Sequence, residues 1–495
     1  MIRALLMGID REIYPSFSEF RRLAAKGNLI PIYREILADL ETPVSAFMKV
    51  SAGEQSGFLL ESVEHGEKIG RYSFIGCRPS VIVEARKDQD VLSEIEARMK
   101  DVRLVHNDAL PGFCGGFVGY LAYENVGFYE KLRLRQKKSL DLPQGFFFLA
   151  DRMIIFDQIE RTLKIVALCH TGQGVQRAYR KGIKAIQEIS AALNKPVRRD
   201  FEITRKLERG SRTRLVSNMT RSEFEQKVQR VKKYIRQGDC IQVVLSQRFD
   251  LGRVDNQFDV YRALRASNPS PYMFFFKHGD FSLIGSSPEL LVKKTGRVAE
   301  LRPIAGTRKR GASEEEDALL ERNLKKSVKE LAEHLMLVDL GRNDLGRLCR
   351  YDSVKVKDYA RTERYSHVMH LVSEVVGQLK PGKDSFELLR ATFPAGTVSG
   401  APKIRAMQII DELENDSRGP YAGALGYFSF NGDMDMCIMI RTIVVHKGRA
   451  SVQAGAGIVF DSNPAKEYQE TVNKAKALFE AVEIARVSRH AARHR

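Results

Sequence analysis

Two ExxE pairs stand on helix-like stretches of this 495-residue sequence: Glu330 and Glu333 in SVKELAEHLMLVDL, and Glu467 and Glu470 in SNPAKEYQET. Residues three apart share one flank of a helix. Four such carboxylates could surround a hard cation such as Mg2+, which takes oxygen ligands and keeps positions open for a substrate anion. Either pair alone is more often a solvated helix face. Arg441 is more telling, because it interrupts MCIMIRTIVV, an apolar run that reads as one strand buried on both faces. A buried guanidinium must meet an anion, and an internal carboxylate and a ligand carboxylate are evenly balanced readings. The next strand, QAGAGIV, brings Gly455 and Gly457, where missing side chains would let backbone N–H groups approach an anion.

Two glycine loops point the same way. In FPAGTVSGAPKIRAMQII, Gly396, Thr397, Ser399 and Gly400 precede a helix opened by Pro402, whose N-terminus would favour an anion. In RPIAGTRKRG, Gly306 and Thr307 offer an amide and a hydroxyl. Neither loop has the spacing of a nucleotide-phosphate motif. Glu289, after the Ser-Ser-Pro turn of GSSPELL, suits a proton donor, although an ordinary turn glutamate reads as well. His370 opens an apolar segment, where a satisfied core histidine is the default. No GxSxG or Ser-His-Asp arrangement supports covalent hydrolysis. Together these groups describe a pocket for a small polyanion and a metal.

The elements that must carry these residues are closely spaced. In the first half GFLLESVE, RYSFIGCRPSVIVEA, GFCGGFVGYLAYE, GFFFLADRMIIFD and TLKIVALCH alternate with Gly-rich turns, which favours antiparallel sheet. Helices are expected at 17–26 and 175–194. In the second half Thr220 and Glu223 form a capping box for a helix that Gly238 ends. The strand CIQVVLSQRF follows, then a later meander with turns at Asn431-Gly432 and Lys447-Gly448. Helices are expected at 315–339, with an apolar stripe of Leu320, Leu324, Val328, Leu331, Leu335 and Val338, at 402–414, and at 464–485 capped by Asn463. The class is α+β. Residues 194–219, poor in apolar residues and rich in Lys and Arg, read as a basic linker between halves at 14–193 and 220–485.

Composition excludes whole classes. With 43% hydrophobic and 29% charged residues the chain is not disordered, and no apolar run reaches the length of a membrane span. MIRALLMGI is a poor signal peptide. Six scattered cysteines without CxxC spacing read as buried thiols of a reducing, cytoplasmic compartment. The net charge of +18, with basic clusters at 131–138 and 195–214, invites a nucleic-acid-binding reading. No aromatic interleaving or known binding signature accompanies it.

The motifs PIAGTRKRG, EHLMLVDLGRNDLGR, SHVMHLVSEVVGQL, ATFPAGTVSGAPKIRAMQIIDELE, RGPYAGALGYF, MCIMIRTIVV and QAGAGIVFDSNPAKEYQET, with FLLESVE and GRYSFIG upstream, resemble anthranilate synthase component I from about Tyr14 to Glu483. The resemblance implies the chorismate-utilising fold, large antiparallel sheets packed orthogonally with helices outside. It divides the chain into an N-terminal domain with regulatory elements at 14–193 and a chorismate-binding catalytic domain at 220–485. It implies Mg2+ on Glu333 and Glu470, with Glu330 and Glu467 in the same cluster. Gly455, Ala456 and Gly457 would line the ring carboxylate of chorismate, and Arg441 with Tyr421 would hold the enolpyruvyl carboxylate. Gly306, Thr307 and Thr397 complete the implied pocket. Glu289 would protonate the departing C4 hydroxyl, ammonia would add at C2, and His370 would assist elimination of pyruvate. Gln242 stands where water-adding relatives have a lysine base, and Ala305 where many aminodeoxychorismate synthases have a lysine nucleophile. Both favour ammonia as the direct nucleophile over the alternative, an aminodeoxychorismate synthase component I. No glutaminase cysteine motif is present, which implies a separate glutamine amidotransferase subunit in a heterotetramer. Glu61, Ser62, Pro271, Tyr272 and Met273 match the family's L-tryptophan feedback site. Neither nucleic acid nor membrane is an expected partner.

Overall fold

The computed structural model describes residues 13–62, 70–86, 88–197, 215–364 and 368–493. Its short apolar runs pair antiparallel into two sheets. The path of the larger, thirteen-stranded sheet runs from Ile13–Tyr14 and Leu29–Leu37 through Thr162–His170, Arg152–Asp157, Tyr72–Cys77 and Ser56–Glu61. It continues through Tyr272–His278, Phe281–Ser287, Thr442–His446, Arg449–Ile458 and Gln242–Arg253 to Val216–Ser217. The ten-stranded sheet runs from Ile304–Lys309 through Val368–Gln378, Val298–Leu301, Leu290–Thr295, Met434–Ile438 and Ala424–Ser429 to Gly116–Leu121, Gly145–Ala150 and Ile82–Ala85. Both sheets take strands from either side of 194–219, so that segment joins two stretches of chain that share their sheets. Its residues 198–214 lie outside the described residues.

Alternation along the strands decides which core each ring enters. In YMFFFKH, Phe274 and Phe276 join Phe58, Phe146, Phe148 and Phe281 in one buried cluster, drawn from both sheets. Phe275, one residue out of phase, faces a second core with Phe47, Tyr261 and residues of the helices Val175–Leu193 and Pro464–Arg493. Close packing extends to the backbone: a Cβ on Gly285 would lie 2.0 Å from the Phe274 ring.

Strands that switch sheets make the corners of such packings. The chain leaves the larger sheet at Ser287 and enters the smaller at Leu290, and it returns between Ile438 and Thr442. MCIMIRTIVV is therefore two strands in two sheets, not the single strand its uniform apolarity suggests, and Arg441 sits in the bend with φ +50°. The two crossings are laced together. Ile438 N donates to Glu289 O at 3.0 Å and Ser286 N to Arg441 O at 3.1 Å, while Ser287 Oγ donates to Ile438 O at 2.7 Å.

Helix ends follow the local signals. Thr220 and Glu223 close a reciprocal capping box on the helix Arg221–Arg236. Asn463 Oδ1 accepts from Ala465 N at 3.1 Å and Lys466 N at 3.2 Å, opening Pro464–Arg493. The helix expected at 315–339 is two, Glu314–Lys326 and Val328–Gly346, broken at Ser327. That break resets the helical phase, which corrects the stripe: Leu324 and Val338 are buried, whereas Val328 is 82% and Leu335 47% exposed. All six cysteines are buried free thiols. Among the described residues no helix is long and apolar enough to cross a membrane.

Candidate active site

The paired crossings bring Glu289 and Arg441 to the edge where both sheets meet the helices. Glu289 is buried, and that burial pushes its carboxyl up to about 8. Thr397 and Lys474 oppose the shift without cancelling it. The acid is therefore substantially protonated near neutrality, as a proton donor requires. Thr397 Oγ1 and Gln242 Oε1 are buried with no formed hydrogen bond among the described residues. The Thr397 hydroxyl stands close enough to the Glu289 carboxyl to favour its charged form, outside ideal hydrogen-bond geometry. Orphaned polar atoms of this kind cost free energy unless a ligand completes them.

The sequence leaves an internal carboxylate and a ligand carboxylate evenly balanced as partners of Arg441. Burial lowers its affinity for a proton, Glu470 alone acts in the other direction, and no hydrogen bond or ion pair engages its guanidinium among the described residues. A largely desolvated cation without an internal partner is suited to a ligand carboxylate.

The opposite wall is the strand Arg449–Ile458 against Gln242–Arg253, with Val244 opposite Gly457, Leu245 opposite Ala456 and Ser246 opposite Gly455. The glycines are required by close approach. A Cβ on Gly455 would stand 2.5 Å from Tyr421 Oη, and one on Gly457 would stand 2.7 Å from Gln242 Nε2. On the far side Thr307 pairs with His370 in the smaller sheet. His370 Nδ1 lies 2.9 Å from Gly306 O and 3.1 Å from Thr307 Oγ1, and burial pushes its pKa down. Donation from Nδ1 to that carbonyl places the lone pair on Nε2 of a neutral imidazole.

Glu333, beside Glu330 on the helix Val328–Gly346, lies within electrostatic reach of Glu467 and Glu470 on the helix Pro464–Arg493. Glu333 is pushed up by burial, and Glu330, Glu467 and Glu470 add to the effect while Lys329 opposes it. Glu467 is pushed up by burial and by Glu470, against its hydrogen bond to Ser462. Half-buried, mutually repelling carboxylates are of the chemical type that a hard divalent cation takes as ligands. Among the described residues no three acidic, histidine or cysteine side chains converge as a formed metal site. Basic side chains stand against them instead, with Arg308 2.9 Å from Glu330, Lys474 2.7 Å from Glu470 and Lys329 3.8 Å from Glu333.

Two residues of this region are absent from the sequence reading. Lys474 donates to Gly455 O at 2.9 Å as well as pairing with Glu470; its spacing of four from Glu470 put it on the same helix face. Arg418, 2% exposed, binds Glu414 through two bonds of 2.8 and 2.7 Å and donates to Val398 O and Val244 O at 2.7 Å each. Its guanidinium lies over the rings of Tyr123 and Tyr421 at 4.8 and 5.4 Å. Glu414 in turn accepts from Ser246 N and Oγ. One buried ion pair thus ties the Thr397 loop to the Gly455 wall. Arg418→Ala strands Glu414 in the interior and should cost about 3–5 kcal/mol, read as a fall in the urea midpoint. A loss below about 1 kcal/mol would show that the pair holds nothing in place.

The candidate regulatory residues meet at the ends of the strands Ser56–Glu61 and Tyr272–His278, where Met273 pairs with Glu61. Ser62 Oγ is buried and has no hydrogen-bond partner among the described residues, and Tyr272 Oη donates to Asp435 at 3.1 Å. Pro271 and Met273 are buried. Glu61 turns away to Arg265, at 3.0 and 3.1 Å, and to Tyr261, so its carboxylate braces the region from behind. Leu60, Phe74, Tyr272 and Tyr427 gather beside it as partly buried apolar groups. The basic cluster at 131–138 is partly neutralised within the fold, Lys137 and Arg135 standing 2.9 and 3.7 Å from Asp411.

A family model described as chorismate binding enzyme matches residues 55–480. A protein of Aquifex aeolicus named anthranilate synthase component 1 is 48% identical over 489 residues, covering 96% of this chain and 98% of that one. Its namesake in Acetivibrio thermocellus is 43% identical over 491 residues, covering 95% and 99%. Among solved structures, anthranilate synthase component I from Streptococcus pneumoniae TIGR4 has a TM-score of 0.74 at 37% identity, over 84% of this chain and 94% of that one. The menaquinone-specific isochorismate synthase of Escherichia coli, at 21% identity and a TM-score of 0.70 over 94% and 98%, shares the fold.

Proposed function

The chain belongs to the chorismate-binding enzymes, in the company of anthranilate synthase component I, and on that footing we propose that it converts chorismate and ammonia to anthranilate and pyruvate. The observation that carries the reading is a buried carboxyl whose pKa is pushed up to about 8, at a corner shared with a desolvated arginine that no hydrogen bond or ion pair engages among the described residues. Chorismate carries two carboxylates and a C4 hydroxyl that must leave. Arg441 and Tyr421 hold the enolpyruvyl carboxylate, and the backbone of Gly455, Ala456 and Gly457 approaches the ring carboxylate. Gly306, Thr307 and Thr397 close the pocket. Glu289 gives its proton to the C4 oxygen, which departs as water while ammonia adds at C2. The proton that the added ammonia sheds returns to the Glu289 carboxylate. His370, neutral with its lone pair on Nε2, takes the C2 proton as the C3–O bond breaks, and the released enolpyruvate takes up a proton at its methylene carbon to become pyruvate. Glu333 and Glu470, with Glu330 and Glu467, would hold Mg2+, which supplies Lewis-acid polarisation of the bound carboxylate. Gln242 cannot serve as the base that water addition needs, and Ala305 cannot form a covalent adduct.

Ammonia would come from a glutamine amidotransferase subunit in a cytoplasmic heterotetramer. The aromatic surroundings of Ser62, Pro271, Tyr272 and Met273 suit L-tryptophan as feedback inhibitor of this first committed step of its biosynthesis.

Purified protein given chorismate, Mg2+ and an ammonium salt at mildly alkaline pH should release anthranilate, followed by fluorescence against a chain that contains no Trp. Chelating the divalent ion should abolish turnover. Glutamine in place of ammonium should fail until the partner subunit is added. Isochorismate or aminodeoxychorismate as the end product would overturn the roles given to Gln242 and Ala305.

A further inference from the structure

We infer that Ser286 is a positioning residue for Arg441 and couples it to the loop Asn268–Ser270, so that an occupant of the Ser62–Met273 site acts on substrate binding through a single strand. The inference rests on the reading of that site as the tryptophan site. Four residues line up across three neighbouring strands of the larger sheet and the bend that leads into the fourth. Glu61 pairs with Met273, Met273 pairs with Ser286, and Ser286 N donates to Arg441 O at 3.1 Å. At about 4.8 Å per strand the row spans about 14 Å.

Ser286 is the member that touches both sites, with its backbone N–H on Arg441 and its hydroxyl on the 268–270 loop. It is fully buried. Its Oγ donates to Asn268 O at 2.5 Å, lies 2.8 Å from Ser270 Oγ, and accepts from Asn268 Nδ2 at 3.0 Å. Asn268 and Ser270 lead directly into Pro271, Tyr272 and Met273. The same strand, Phe281–Ser287, ends two residues before Glu289, and Ser287 Oγ holds Ile438 O on the returning crossing. Movement of the 268–273 loop therefore pulls on a hydroxyl whose own backbone holds Arg441 at φ +50°. A residue bent into that conformation depends on its neighbours to keep it there. Adjacency alone does not demonstrate coupling, so the test must cut the link and leave both sites standing.

Ser286→Ala removes the hydroxyl and keeps the N–H that Arg441 O accepts; Ser270→Ala cuts the same link from the loop side. Chorismate KM, kcat and L-tryptophan binding by calorimetry are measured on the whole chain with ammonium as nucleophile. In the unaltered protein, saturating L-tryptophan should raise the chorismate KM at least about tenfold, within the usual range of allosteric coupling. In both variants L-tryptophan should bind within about threefold of its original Kd yet raise KM less than about twofold. Ser286→Ala should itself raise KM about three- to tenfold with kcat nearly kept. A merely structural serine would lower Tm and leave the inhibition ratio intact. Full inhibition of both variants overturns the inference while the tryptophan site stands. Failure of L-tryptophan to bind the unaltered protein overturns the site reading, and the coupling with it.

Discussion

Glu289→Gln leaves a folded protein that still binds chorismate and turns it over about 10²- to 10⁴-fold more slowly, the range that removal of a positioned general acid covers. The amide fills the same space and cannot give up a proton to the C4 oxygen. The pH profile supplies a second signature. With the carboxyl pushed up to about 8 by burial, the proton-donating form dominates below that pH and is lost above it. The kcat/KM of the unaltered enzyme should therefore fall on an alkaline limb near pH 8, and that limb should vanish in the variant. Stability moves the other way. A carboxyl whose folded pKa exceeds its unfolded value binds more protons when folded, so between the two values stability falls as pH rises. Glu289→Gln removes that penalty, and its Tm should exceed that of the unaltered protein at pH 9 by more than it does at pH 5. An alkaline limb that survives the substitution would assign the proton to another group.

How much of this was legible beforehand depends on whether the signal is local. The capping boxes and the hairpin turns at Asn431-Gly432 and Lys447-Gly448 read correctly, because each is settled by a few neighbouring residues. The break at Ser327 did not, because Leu320, Leu324, Val328 and Leu331 keep a helical rhythm across it. The Ser327 hydroxyl accepts from Glu330 N at 3.4 Å and so caps a new helix, a local Ser-x-x-Glu signal that the unbroken apolar rhythm masks. MCIMIRTIVV failed for a related reason. A strand buried between layers is apolar whichever sheet it joins, so nothing in its composition marks the crossing at 439–441. Arg418 escaped notice because RGPYAG looks like a turn. Its partners Val244, Val398 and Glu414 are set by the topology of strands distant in the chain. The candidate carboxylates and the paired glycines stand out in the sequence because their residue types are chemically restrictive. The walls that hold them are ordinary residues placed by the fold.

Arg441→Met should give the other large effect, and its sign on stability discriminates between explanations. If the guanidinium serves a ligand carboxylate, truncating it removes one partner of a buried, charge-assisted pair, a loss of about 2–5 kcal/mol in binding. Chorismate KM should rise about 10²- to 10³-fold, and kcat should fall less. Arg441→Lys keeps the charge but not the planar fork, so it should recover part of the loss and never all of it. The folded protein without substrate should lose nothing. Methionine takes over the volume of a cation that is desolvated and that no internal acid engages among the described residues, so the cost of burying a charge disappears. The urea midpoint should stay level or rise. If an internal carboxylate were the true partner, the same substitution would strand a buried anion and lower the midpoint by an amount like that expected for Arg418→Ala. Activity lost with stability kept therefore marks a cation installed for substrate; activity and stability lost together mark a structural bridge.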